Sequence, residues 1–468
     1  MAENQTLKIL EVCRVVPPPD SYSSSPATLS PTFFDLLWLR FPPVQRLYFY
    51  QISHKSIFFQ TIVPKLKSSL SLILQHYAPL AGNFIWPQHS YKPTIQAAPG
   101  NGVLFTVAES DADFYHLSSN NLRETIEYDP LLPEFPSSDD QTVVMTLQVT
   151  VFQTGGFCIG ISTHHALLDG RTSTEFMKSW ARMCKLDRTS PSSSSPTAEL
   201  TPFYDRTMIK DSKGLEVIYL NAWLNLKGPN NRSLMIWDAK APPESVRATF
   251  QLTPKNLQNL KRLSAITNFS TFTLTTALTW ICLAKAEDSS NSKISLVLNV
   301  DARARLEPPM PAGYFGNCIV GRIVVADRES LVGEDGVRIA AEAINGATKN
   351  LHSADTLLDG AEQCISWLDT INTAGDKMVG VAGSPRFEVY SVDFGWGKPR
   401  KVEMASIDKT GAICLSDSPN GGVEICLVRQ RDIMERFATH FTQDLQRLSI
   451  QIPHVIDVCD YGAKSMSE

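Results

Sequence analysis

Two histidines, His164 and His165, stand side by side, and Asp169 and Gly170 follow His165 at the fourth and fifth positions. A neutral imidazole, with a pKa near 6.5, takes a proton at neutral pH. It is the side chain best matched to deprotonating an alcohol as that alcohol attacks a carbonyl. The run Phe157 to His165 is strand-like, so a period of two places Ile159, Ile161, Thr163 and His165 on one face, with Gly160, Ser162 and His164 on the other. The two histidines therefore cannot do the same job. His165 ends the strand just before a loop and a helix, where side chains reach clefts. Asp169 either orients the imidazole or pairs with a cation and holds the loop in shape, and Gly170 permits backbone geometry that other residues avoid. The plainer alternative is a pair of hydrogen-bonded histidines in a turn.

A second constellation lies late in the chain, at Asp393-Phe394-Gly395-Trp396-Gly397. Gly395 and Gly397 let the backbone approach something closely. Trp396 brings a flat apolar surface and one N–H donor. Asp393 is acidic in an apolar context and needs a partner. A tight turn between domains and a ligand-facing loop are both open to this pentapeptide. Other catalytic patterns are absent: there is no Gly-x-Ser-x-Gly elbow, no Walker loop and no Gly-x-Gly-x-x-Gly. His165 and Asp169 have metal-ligand character but no third ligand nearby, so no metal site is expected.

The elements that must position these residues follow from periodicity. Lys8 to Val16 alternates as a strand does. Phe58, Ile62, Leu66, Leu70 and Leu74 recur at four-residue steps, which predicts an amphipathic helix over Phe58 to Tyr77, with Pro64 near its first turns. Val143 to Val151 and Phe157 to His165, joined by Thr154-Gly155-Gly156, read as a hairpin. Phe176, Met177, Trp180 and Met183 predict the helix that follows it. Farther on, strands are expected at Arg247 to Leu252, Ile294 to Val300, Ile319 to Val325, Phe387 to Val392 and Val423 to Val428. Helices are expected at Pro254 to Ser264, Phe272 to Lys285 and Arg431 to Leu448. The Ser- and Pro-rich run Thr189 to Pro202 reads as a linker, and Lys227 to Ser233 as a second loose patch. Strands and helices mixed in both halves indicate an α/β or α+β protein with mixed sheets.

At 468 residues the chain is long enough for two domains of ordinary size. Its 43% hydrophobic and 19% charged residues fit a globular protein with a sizeable core. A net charge of −5 argues against a nucleic-acid partner, which favours a basic surface. No run of about 18 apolar residues occurs, so no membrane span is expected. The N-terminus has no basic segment followed by a long apolar run, as a secretory signal has. Nine cysteines, none in a C-x-x-C pair, read as buried thiols in a reducing compartment, and a cytoplasmic location is expected. Nothing in the sequence calls for an oligomer, so a monomer is expected.

The two constellations together resemble the signature of the plant BAHD acyltransferases, a family marked by His-x-x-x-Asp-Gly in mid-chain and Asp-Phe-Gly-Trp-Gly late in the chain. Both stand here intact, about 230 residues apart and in the family's order. Phe33-Phe34-Asp35, Tyr77 to Gly82, Asp205-Arg206 and Asn299 to Arg303 also look like family segments. Tyr314-Phe315-Gly316-Asn317-Cys318 resembles the branch that acylates the sugars of anthocyanins, flavonoids and related phenolic glucosides.

The resemblance implies two chloramphenicol-acetyltransferase-like domains with a channel between them. They would be residues 1–190, joined by 392–412 crossing over, and residues 235–468, with 191–234 as the connecting segment. It implies acyl-CoA as a co-substrate, a phenolic glycoside as acceptor and no permanently bound cofactor. His165 would be the general base, and the Trp396 N–H a candidate for stabilising the oxyanion. Asp169 would turn away from the channel to pair with Arg303. Lys255 and Lys261 would be candidates for the coenzyme A phosphates, and Ser270 and Thr271 for pantetheine contacts. The branch uses malonyl or hydroxycinnamoyl donors. Arg171 could supply the cation that a malonyl carboxylate needs, which slightly favours malonyl.

Overall fold

The structure, a computed structural model, describes residues 6–18, 25–186, 200–263, 269–287, 291–349, 351, 353–365 and 378–450. Most of the Ser- and Pro-rich run expected as a linker lies outside these residues.

Two large mixed sheets organise the chain. The first runs in the order Leu7–Val15, Val103–Ser110, Met145–Phe152, Gly156–Thr163, Val44–Gln51 and Lys401–Met404. The second runs Ile319–Asp327, Lys293–Asp301, Val379–Gly383, Ile413–Asp417, Val423–Gln430, Ser245–Leu252 and Arg123–Glu124. A small sheet is made of Thr28–Leu29, Thr94–Gln96, Asn83–Ile85 and Gln141–Val143. One large apolar cluster packs on the first sheet and another on the second.

The hairpin expected around His165 forms, with Phe157 opposite Val151 and Ile161 opposite Leu147. The strand Gly156–Thr163 also pairs with Val44–Gln51, so it lies inside the sheet and all eight of its residues are buried. Phe157 and Ile159 are 0% exposed. Burial of each such side chain contributes roughly 1.5–3 kcal/mol, which anchors the strand that carries the histidines. Gly160 is required by contact: a Cβ there would stand 2.3 Å from the Leu131 carbonyl oxygen.

The two sheets exchange strands. Lys401–Met404, from late in the chain, pairs with Val44–Gln51 in the first sheet. Arg123–Glu124, from the first half, pairs with Ser245–Leu252 in the second. Buried ion pairs tie the crossing strand back: Lys401 Nζ to Glu424 at 2.8 Å, and Arg247 to both Glu403 at 2.8 Å and Asp408 at 2.7 Å. Breaking one partner of such a pair costs about 3–5 kcal/mol, because the other charge is left buried.

Two expectations need correction. Phe387 to Val392 is not a strand but two short 3-10 turns, Pro385–Phe387 and Val389–Ser391, with Glu388 between them in the left-handed region at φ 53°. The backbone N–H groups of Val389 and Tyr390 donate to the Asp417 carboxylate at 2.7 and 3.3 Å instead of to a neighbouring strand. The helix expected from Phe58 is broken in type. A π-helical turn at Phe58–Ile62 precedes the α-helix Val63–Ile73. Pro64 has no N–H to give and its ring crowds the carbonyl four residues back, which accounts for the widened turn.

Candidate active site

The strand Gly156–Thr163 delivers the two histidines to its end, and the helix Gly170–Lys185 starts five residues after His165. His164 is fully buried. It lies 4.5 Å from the Phe84 ring, and its Nδ1 accepts the Ala166 N–H at 3.1 Å. Burial pushes its pKa down to about 3, so it is a neutral core residue. His165 has different ring neighbours and is partly exposed. Its ring stacks on Trp38 with centroids 4.0 Å apart and planes 7° apart, and Phe41 meets it edge-on at 5.6 Å. Its Nδ1 is buried without a partner. Burial lowers the imidazole pKa to about 4, against smaller opposing effects from its own carbonyl, the Asp169 charge and Asn317. The ring is therefore neutral across physiological pH, the state a general base needs.

Asp169 makes no hydrogen bond to that ring. Its Oδ1 caps the helix by accepting the Thr172 N–H at 2.9 Å, and its Oδ2 accepts the Cys318 N–H at 3.1 Å. Arg303 Nη1 stands 2.8 Å from the same Oδ2, and both side chains are buried. Burial opposes the Asp169 charge, but Arg303 and the hydrogen bonds outweigh it and hold the carboxyl below the usual range. Arg303 also donates to Thr172 Oγ1 and to the Gly316 carbonyl, each at 3.0 Å. Gly170 is a packing requirement, because a Cβ there would lie 2.9 Å from the Phe387 ring.

The second constellation does not join this site. Asp393 pairs with Lys185, the last residue of the helix that Asp169 caps, at 2.6 Å. Its Oδ1 accepts the N–H groups of Gly395 at 2.8 Å and Gly397 at 3.0 Å, which folds the loop around the carboxylate. Gly395 and Gly397 both adopt positive φ, 109° and 104°, which explains the residue type. Trp396 stacks on Phe394 at 5.6 Å and meets Phe157 at 6.0 Å. Phe157 is at the start of the strand whose far end leads to His165. Six residues of strand separate Phe157 from Thr163, about 20 Å. Trp396 as oxyanion donor beside His165 is therefore corrected: its N–H is too remote to reach the same reacting atom.

The remaining candidates are scattered. Arg171 pairs with Asp301 at 3.1 Å, with both side chains well exposed. Lys255 and Lys261 are exposed on the helix Pro254–Leu263. Six residues apart, they point about 120° away from each other round that helix and do not form one patch. Ser270 caps the helix Thr271–Ala286 by accepting the Thr273 N–H at 3.0 Å, and Thr271 is that helix's first residue. None of these residues makes a hydrogen bond or ion pair with His165. Among the described residues, no cluster of three metal-ligating side chains occurs and no helix is long and apolar enough to cross a membrane.

Periodicity and spacing did not single out Trp38, Asn317 or Asp35 as site residues. Trp38 covers the imidazole, and Asn317 Nδ2 donates to the His165 carbonyl at 2.8 Å. The only signal was that they lie in, or just after, the segments Phe33 to Asp35 and Tyr314 to Cys318.

The two mixed sheets, which exchange strands, make up a two-domain fold of the chloramphenicol-acetyltransferase type, with a neutral, partly exposed imidazole just past the end of a buried strand of the first sheet. The chain matches the model of the Transferase family over residues 14–444 and belongs to that family, the BAHD acyltransferases. It is 36% identical over 458 residues to malonyl-coenzyme:anthocyanin 5-O-glucoside-6'''-O-malonyltransferase of Salvia splendens, covering 95% of this chain and 96% of that one. It is 39% identical over 448 residues to phenolic glucoside malonyltransferase 1 of Arabidopsis thaliana, covering 90% and 94%. Among solved structures, vinorine synthase superposes with a TM-score of 0.69 over 94% of this chain and 98% of that one, at 20% identity, a likeness of fold.

Proposed function

We propose that the protein transfers an acyl group, malonyl by preference, from coenzyme A to a sugar hydroxyl of a phenolic glucoside, with His165 as the general base. The observation that carries this reading is the imidazole itself: neutral, partly exposed, held face-on by Trp38 and edge-on by Phe41, and without a hydrogen bond to Asp169. His165 takes the proton of the acceptor hydroxyl as its oxygen attacks the thioester carbonyl. The C–S bond then breaks, and the protonated imidazole returns the proton to the departing thiolate. No covalent enzyme intermediate is needed. Asp169 and Arg303 hold the loop that presents the base. Asp393, Gly395 and Gly397 build a turn with Trp396 at the other end of the same helix.

In this reading residues 1–190, with the crossing segment 392–412, and residues 235–468 form the two domains, and substrates meet in a channel between them. Lys255, Lys261, Ser270 and Thr271 are candidates for the coenzyme A side, and Arg171 for the malonyl carboxylate. The malonyltransferase names of the relatives support malonyl as donor. A hydroxycinnamoyl donor has one observation in its favour, because the Arg171 charge is already matched by Asp301. The protein works as a cytosolic monomer. Its eight described cysteines, all free, and its net charge of −5 support that setting.

The experiment is mass spectrometry of products from a panel of acyl-CoAs and glucoside acceptors, with His165→Ala as control. Malonylated glucoside from the wild type alone is expected. Equal product from the variant would defeat the mechanism.

A further inference from the structure

His165 is held by its neighbours at more than its ring faces. Asp35, 0% exposed, sits in the turn that leads into Trp38. Its Oδ2 accepts the N–H and hydroxyl of Thr32 at 2.8 and 2.9 Å and pairs with Arg206. Its Oδ1 accepts both the backbone N–H and the side-chain Nδ2 of Asn317, each at 3.0 Å. The next backbone N–H, that of Cys318, goes to Asp169. Two buried carboxylates thus clamp consecutive peptide groups.

The Asn317 amide has one orientation. Nδ2 gives one proton to Asp35 and the other to the His165 carbonyl at 2.8 Å. Turning the amide over would set Oδ1 against two acceptor oxygens, which chemistry forbids. Its Oδ1 is therefore directed away from both, and it is buried without a donor. His165 Nδ1 is buried without an acceptor. These are complementary unpaired atoms on two residues already in hydrogen-bond contact, and leaving both unpaired is costly.

We propose that Asn317 is the positioning residue of the base: its Oδ1 receives the Nδ1–H of His165, so that the Nε2 lone pair faces the acceptor hydroxyl. Asp35 acts one step further out, by fixing which way the Asn317 amide points. Trp38 sets the plane of the ring, and Asn317 sets its tautomer and its rotation within that plane. The inference rests on His165 being the base.

The test reads the tautomer directly. Histidine 15N shifts are recorded at neutral pH for the wild type, Asn317→Ala and Asn317→Asp, with kcat and KM measured on the same samples. The wild-type ring is expected in the Nδ1–H form. Asn317→Ala should show a mixture of tautomers and a kcat about ten- to a hundredfold lower, with both KM values within about threefold. Asn317→Asp puts an acceptor oxygen where Nδ2 donates to Asp35 and to the His165 carbonyl, so it should lose the fixed orientation and should not restore the wild-type tautomer or kcat. If Asn317→Ala is insoluble, Asn317→Ser takes its place. An unchanged tautomer in Asn317→Ala would show that the ring is oriented by its own carbonyl and would overturn the inference, as would unchanged kcat. His165→Ala separates the two ideas. If it is inactive while Asn317→Ala keeps its tautomer, the base stands and the positioning role falls. If it is active, the base itself falls.

Discussion

Asp169 and Asp393 sit at opposite ends of one helix. Asp169 caps the N-terminus of Gly170–Lys185, and Asp393 pairs with Lys185 at its last position. Sixteen residues of α-helix separate them, about 24 Å at 1.5 Å per residue. The two constellations are therefore anchors of one rod, not walls of one pocket. The first end presents the imidazole. The second fastens the rod to the loop that leads into the strand Lys401–Met404, which crosses into the first sheet.

That geometry makes Trp396 a packing residue. Trp396→Phe keeps the stack on Phe394 and should leave kcat within about threefold of wild type. Trp396→Ala should chiefly lower stability, by about 3 kcal/mol, the low end for a large aromatic that is only partly buried. Steady-state kinetics beside thermal melts would check both. A thousandfold fall in kcat with Trp396→Phe at unchanged melting temperature would restore the indole N–H to the chemistry.

For His165→Ala, kcat should fall by about two to four orders of magnitude, the range of a lost general base. The melting temperature should change little, since the ring is partly exposed. Single-turnover rates with saturating acyl-CoA separate chemistry from product release.

Much of this was legible in the chain, for definite reasons. The strand Gly156–Thr163 announced itself by apolar character, and period two correctly separated His164 from His165. Val44–Gln51 was not visible as a strand. Both of its faces are covered, so apolar Leu47 to Tyr50 run on without alternation, and buried Gln45 and Arg46 mask its start. The strand Lys401–Met404 is four residues long and takes its place only through partners far away in sequence. Phe387 to Val392 looked like a strand by composition, yet Glu388 turns left-handed and Asp417 captures the following N–H groups. Trp38 and Asn317 reach the imidazole through tertiary packing, which no local period encodes.

The Asp169–Arg303 pair should matter to folding more than to chemistry. Asp169→Ala strands a buried guanidinium and removes a helix cap, and a loss of about 3–5 kcal/mol is expected. Soluble yield and melting temperature should drop together. In a double-mutant cycle, Asp169→Ala with Arg303→Ala should cost less than the sum of the single changes. A fall in turnover at full stability would assign Asp169 to the reaction instead.

The depressed imidazole sets a pH dependence. With a pKa of about 4 in the folded protein, His165 stays unprotonated well below the usual histidine range. The acid limb of kcat/KM should therefore lie near pH 4, not 6.5, in samples shown by circular dichroism to be folded. Stability carries the matching sign. The unfolded chain binds this proton first, so the fold loses stability as pH falls from about 6.5 towards 4. His165→Gln should flatten the decline in melting temperature over that window. An acid limb near 6.5 would mean that the ring is better solvated than its stack on Trp38 implies.

Arg171 offers the sharpest test of donor choice. Its guanidinium lies two residues past Asp169, 3.1 Å from Asp301, and is exposed enough to exchange partners. A malonyl carboxylate must compete with Asp301 for it, whereas an acetyl group has no such need. A hydrogen bond to a charged group contributes about 1.5–3 kcal/mol, and an exposed one falls at the lower end. Arg171→Ala should therefore reduce kcat/KM for malonyl-CoA relative to acetyl-CoA by about tenfold. Asp301→Asn should do the reverse by releasing the guanidinium, although Asp301 also stands 3.2 Å from Arg303, so its melting temperature must be measured alongside. If both donors lose equally in Arg171→Ala, the residue braces the loop and the preference for malonyl must come from elsewhere in the channel.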